Sequence, residues 1–120
     1  MRRDDLYLAD IVEAAEAVTG FISGADEAGF VGNDMVRSAV LQKLTVIGEA
    51  AARISDALKQ QHSTLPWQDI VAFRNIAVHK YFGIDWHIVW NAATIDVPSL
   101  HEEVLRIIAA QSEGDTDDTA

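Results

Sequence analysis

The sequence predicts an all-α fold, a four-to-five-helix up-and-down bundle. Three observations predict it. Apolar residues recur at three- and four-residue spacing along most of the chain. No alternating apolar–polar run competes as a strand. The two prolines, Pro66 and Pro98, each sit where a helix can begin. A chain of 120 residues, 49% hydrophobic, is long enough for one domain with its own core and too apolar to be disordered throughout.

The first helix is expected over residues 4–23, with Leu8, Ile11, Ala15, Val18 and Ile22 on one face. Asp4 and Asp5 suit its positive N-terminal end, and Gly24 offers a stop. A polar, glycine-bearing loop follows through Asn33, and Asn33 or Asp34 can cap the next helix. That second helix, residues 34–61, is the longest. Val40, Leu44, Ile47, Ala51, Ile54 and Leu58 form a packing seam along it. Gly48, Ala50, Ala51 and Ala52 are small, so a neighbour from this chain or a second copy can approach closely there.

Leu65-Pro66-Trp67 opens the third helix and Gly83 breaks it, with Trp67, Ile70, Val71, Phe73 and Ile76 on its apolar side. A short fourth helix over residues 85–93 is anchored by Trp86, Val89 and Trp90. Asp96-Val97-Pro98 starts the fifth, whose stripe is Leu100, Val104, Ile107 and Ile108. Residues 112–120 carry Glu113, Asp115, Asp117 and Asp118 and read as an acidic disordered tail. The domain is therefore expected over residues 1–111.

The absence of cysteine removes disulfides, thiolate metal sites and a cysteine nucleophile. The opening Met1-Arg2-Arg3-Asp4-Asp5 lacks the apolar core of a signal peptide, and no apolar run is long enough to span a bilayer. A cytoplasmic protein without membrane contact is expected. The net charge of −10 disfavours nucleic acid, because phosphate attracts basic surfaces. Its distribution softens that objection. Residues 34–82 carry six Lys and Arg against four acids, a net +2. The flanking residues 1–33 and 83–120 carry net −5 and −7. The middle permits an RNA site.

Within that middle, Arg74, Asn75, His79 and Tyr81 place a guanidinium, an amide, an imidazole and a phenol in eight residues of an apolar segment. Polar groups are costly to bury unpartnered, so the cluster invites a chemical explanation. On an ideal helix Asn75 and His79 are neighbours, while Arg74 and Tyr81 share another line. Either Arg74 curls round the helix, or two chains meet about a twofold axis so that Arg74 of one approaches His79 of the other. RNA cleavage needs a base for the ribose 2′-hydroxyl, an acid for the leaving oxygen and a cation for the anionic phosphate. An imidazole serves either proton role near neutrality, and a guanidinium binds phosphate through two hydrogen bonds. None of these steps needs a metal or cofactor.

Arg-Asn-x4-His-x-Tyr resembles the signature of the HEPN superfamily. The longer string is similar to the HepT-like toxins: Leu65-Pro66-Trp67-Gln68-Asp69-Ile70, Arg74-Asn75, Val78-His79-Lys80-Tyr81-Phe82-Gly83-Ile84-Asp85, Val89-Trp90 and Asp96-Val97-Pro98. The resemblance covers at least residues 34–108. It implies a helical homodimer with a metal-independent endoribonuclease site in a cleft at the dimer interface. Arg74 and His79 would be the catalytic pair, with Asn75 and Tyr81 in support. It also implies a two-component toxin–antitoxin module whose MntA-like nucleotidyltransferase antitoxin adds AMP to Tyr81. Bulk and negative charge there would exclude RNA.

Other residues have plainer explanations. Trp67, Trp86 and Trp90 are expected to be core or dimer anchors rather than base-stacking platforms. His62, His87 and His101 show no metal-ligand spacing. Asp69 and Asp85 most simply cap or flank helices, and Lys80 is expected to be solvated. The alternative function is a non-catalytic helical dimer that binds a nucleotide or docks a nucleotidyltransferase without turnover.

Overall fold

A computed structural model describes the backbone of residues 2–76 and 83–119, and the side chains of residues 3–76 and 83–112. Among the described residues the fold is all-helical, as predicted, with no strand. The elements are α1 (Arg2–Phe21), α2 (Glu27–Val31), α3 (Asp34–Arg53), α4 (Asp56–Gln61), α5 (Trp67–Ala72), α6 (Trp86–Asn91), a π-helical segment (Ala92–Asp96) and α7 (Val97–Thr119). None of these helices is long and apolar enough to cross a membrane.

The core follows the apolar stripes. Leu8, Ile11 and Val18 of α1 meet Val40, Leu44 and Ile47 of α3, and Val97, Val104 and Ile107 of α7 close over α1. Each such side chain taken from water stabilises the fold by about 1.5–3 kcal/mol. Two contacts fix directions. Asp4 at the start of α1 reaches Ser55, just past the end of α3. Glu16, late in α1, reaches His101, early in α7. Both helices therefore run antiparallel to α1.

The structure departs from the predicted elements in five places. The glycine-bearing loop contains α2, because Asp26 caps it by accepting from the Gly29 N–H at 2.8 Å and Phe30 is fully buried. The helix predicted over residues 34–61 breaks at Ile54, whose ψ is 140°. Ser55 then caps α4 by accepting from Leu58 N–H at 3.2 Å. The Asp4 carboxylate holds that break by accepting from Ser55 N–H at 2.9 Å and from Ser55 Oγ–H at 2.6 Å.

The third helix is interrupted after Ala72, and helical backbone resumes at Asn75 and Ile76; residues 77–82, which lead to the predicted stop at Gly83, lie outside the described residues. The fourth and fifth helices join through the π-helical segment, where Val97 N–H reaches the Ala92 carbonyl. Pro98 explains the widening, since its ring clashes with an ordinary helical carbonyl and offers no N–H. Helix α7 continues to Thr119, through the residues for which composition predicted an acidic tail.

Candidate active site

The end of α5 positions Arg74. Phe73 N–H bonds the Ile70 carbonyl at 3.1 Å, Arg74 N–H the Val71 carbonyl at 3.2 Å and Ile76 N–H the Phe73 carbonyl at 3.3 Å. All three span three residues, so the chain tightens into a 3₁₀-like turn. Helical backbone resumes at Asn75 and Ile76.

The turn lies directly against α3 at Gly48. A Cβ on Gly48 would stand 2.5 Å from the Arg74 nitrogen, 2.9 Å from the Arg74 Cβ and 2.9 Å from the Val71 carbonyl oxygen. Only a residue without a side chain allows this approach. The small-residue stretch on α3 predicted close packing, and the element that packs there carries the candidate catalytic arginine.

Arg74 is half-buried and Asn75 is exposed. Among the described residues no hydrogen bond or ion pair engages the Arg74 guanidinium. Arg37 and Arg106, by contrast, are paired with Asp34 and Glu103. A guanidinium that no carboxylate engages among the described residues suits an incoming phosphate. His79 and Tyr81, the other two predicted site residues, and Lys80 lie outside the described residues.

The tryptophans pack as expected of core anchors. Trp67 is buried and its indole N–H donates to the His62 carbonyl at 3.0 Å. Phe30 sits 6.2 Å from Trp86, edge on, and 5.3 Å from Trp90. The Arg37 guanidinium lies 4.8 Å from the centre of the Trp86 ring, so that ring already has a cation on it. Asp85 caps α6 by accepting from His87 N–H at 3.0 Å and Ile88 N–H at 3.4 Å. The His87 ring bridges Glu27 at 2.9 Å and Asn91 at 3.3 Å, and His101 pairs with Glu16 at 3.0 Å. These two histidines tie helices together. Among the described residues no group of three His, Asp or Glu side chains is placed to hold a metal ion.

One further ionisable group is perturbed. The Tyr7 phenol is held below its ordinary range, first by the Arg3 guanidinium, 3.4 Å away, and then by Arg53.

Comparison with known proteins finds a ribonuclease family. The sequence family described as "Ribonuclease HepT-like" matches residues 11–107. "Putative RNase MJ1380" of Methanocaldococcus jannaschii is 40% identical over 98 residues, covering 82% of this chain and 90% of that protein. "Probable ribonuclease HepT" of Thermococcus cleftensis is 34% identical over 94 residues, covering 78% and 86%. "Gamma-glutamylcyclotransferase and putative RNase MJ0434" of M. jannaschii is 30% identical over 109 residues, covering 90% of this chain and 49% of that protein. No solved structure matches the chain.

Proposed function

Because the chain belongs to the ribonuclease HepT-like family, we propose that it is an endoribonuclease that cuts RNA at a site built from Arg74, Asn75, His79 and Tyr81. The observation that carries this reading is the half-buried Arg74, without a carboxylate partner among the described residues and pressed against Gly48 within a region that matches ribonucleases. A phosphate drawn to such a guanidinium is held through two hydrogen bonds. His79 removes the 2′-hydroxyl proton or returns one to the leaving 5′-oxygen, the two proton transfers that cyclisation of the phosphate requires. Asn75 orients the imidazole or the strand, and Tyr81 donates a hydrogen bond to the phosphate. No step calls on a metal.

The same reading extends to the protein's setting. The chain acts as a cytoplasmic homodimer with its clefts at the subunit interface. It is the toxin of a two-component module whose MntA-like nucleotidyltransferase partner silences it by adding AMP to Tyr81. The added phosphate competes with RNA for Arg74 and repels the strand. Support for this part is the extended motif string around Arg74, and co-expression tests it. Intact mass should rise by about 329 Da per AMP group, and not at all in Tyr81→Phe.

The nuclease reading is tested on purified protein in EDTA. RNA should be cut to products with cyclic phosphate ends, and His79→Ala should stop this without changing the helical spectrum. Nucleotide binding with no cleavage across a panel of RNAs would favour a non-catalytic module instead.

A further inference from the structure

Helix α3 touches the chain on both sides of the motif. Upstream, Gly48 receives the Arg74 turn. Downstream, the Arg37 guanidinium lies 4.8 Å from the centre of the Trp86 ring, where α6 begins. Arg37 and Gly48 are eleven residues apart on α3. At 3.6 residues per turn they share one face, about 16 Å apart along the axis. Arg74 and Trp86 are twelve residues apart, with His79 and Tyr81 between them in sequence. One helix therefore holds the described chain at both ends of the stretch that carries the predicted site.

The Arg37 contact is tied down on several sides. Its Nη2 donates to the Asp34 carboxylate at 3.0 Å. Phe30, fully buried, meets the same indole edge on at 6.2 Å. Asp85, the residue before Trp86, caps α6. The Arg37 side chain is half-buried, and its Nε is buried without an acceptor among the described residues. A hydrogen bond left unmade in that way is a cost that an apolar side chain covering the ring would avoid. What arginine adds is direction. A flat cation, bonded to Asp34 and laid on an indole, fixes where the ring sits as well as covering it.

We infer that Arg37 is a positioning residue for RNA cleavage, acting through Trp86. The inference rests on the ribonuclease reading and adds to it a residue outside the motif. Together Gly48 and Arg37 set the separation of the two anchors, Arg74 and Trp86. That separation governs how the groups carried between them are aimed at a phosphate on the Arg74 guanidinium. Rate is sensitive to such placement: a shift of about 1 Å caused by a distant substitution costs about a hundredfold. Arg37 itself is already engaged by Asp34 and Trp86, so contact with the strand is not its role.

Single-turnover cleavage by the full chain in EDTA tests this, with RNA affinity, helical spectrum and denaturant midpoint measured on the same samples. Arg37→Met keeps bulk on the ring and removes the cation. It should slow cleavage at saturating RNA by at least about tenfold and leave the dissociation constant within about twofold. Arg37→Lys returns a cation to the ring and should recover most of the rate. Trp86→Leu should slow cleavage as Arg37→Met does. The double variant should be no slower than the worse single, because both break one contact. Asp34→Asn loosens the guanidinium from an exposed position. It decides the matter if Arg37→Met does not fold: slower cleavage supports the role and an unchanged rate overturns it.

A folded Arg37→Met protein that cuts RNA at the wild-type rate overturns the role and leaves the ribonuclease reading standing. So does a loss of rate that Arg37→Lys does not recover, with stability lowered equally in both variants. Weaker RNA binding, with the salt slope reduced by about one, overturns it in favour of a direct phosphate contact. A wild-type protein that cuts no RNA ends the ribonuclease reading and this role together.

Discussion

Gly48 and Arg74 meet backbone to backbone: the space for a side chain on one is taken by the amide nitrogen and Cβ of the other. Helix α3 therefore fixes where the candidate catalytic arginine leaves the chain. The turn that presents Arg74 is a packing consequence of a glycine 26 residues earlier in the sequence.

Gly48→Ala should accordingly disturb the site from a distance. The added methyl must displace backbone rather than a flexible side-chain end, which costs about 1–3 kcal/mol of stability. Cleavage should fall as well, because the Arg74 turn is what gives way. Gly20→Ala is the control. It lies in α1 with nothing within 4 Å of the added Cβ, and should stabilise by about 0.4–1 kcal/mol. Denaturant midpoints and cleavage rates for the two variants check both expectations.

The Asp4–Ser55 clasp should show energetic coupling. Ser55→Ala removes the cap on α4 and a hydroxyl donor to Asp4, and should cost about 0.5–2 kcal/mol. Asp4→Ala leaves Ser55 N–H without its acceptor. The double variant should lose less than the sum of the singles, by about 0.5–3 kcal/mol. Additive losses in urea unfolding would show that the two groups act separately.

The Tyr7 phenol should ionise at lower pH than a free tyrosine, with Arg3 as the main cause and Arg53 second. Ultraviolet titration in a Tyr81→Phe background isolates it, since the chain has two tyrosines. Arg3→Gln should move the midpoint up. The sign for stability follows. A lowered folded-state value means the contribution is fully present above the unfolded value near 10. It is lost as pH falls through the folded one.

Much of the fold is legible in the sequence because long amphipathic stripes read locally. Leu8, Ile11 and Val18, and Leu100, Val104 and Ile107, are buried as their spacing implies. The misread elements depend on distant partners. The break at Ile54 needs Asp4, 51 residues from Ser55. The interruption after Ala72 accompanies a packing partner, Gly48, on another helix. The short α2 hides in a glycine-rich stretch and is marked only by the Asp26 cap and Phe30. The π-helical join could have been suspected from Pro98 following an apolar run. For the site, residue types and motif spacing point to Arg74 and Asn75, whereas the tight turn at Phe73 and Arg74 has no mark in the local spacing.

The most direct measurement is single-turnover RNA cleavage by Arg74→Ala in the presence of EDTA, with helical content and denaturant midpoint recorded on the same sample. A guanidinium that stabilises the crowded phosphate accounts for about 10²–10³ in rate. The variant should therefore slow by at least about a hundredfold while staying folded. A folded Arg74→Ala protein that cuts RNA at the wild-type rate would contradict the assignment of phosphate chemistry to this turn.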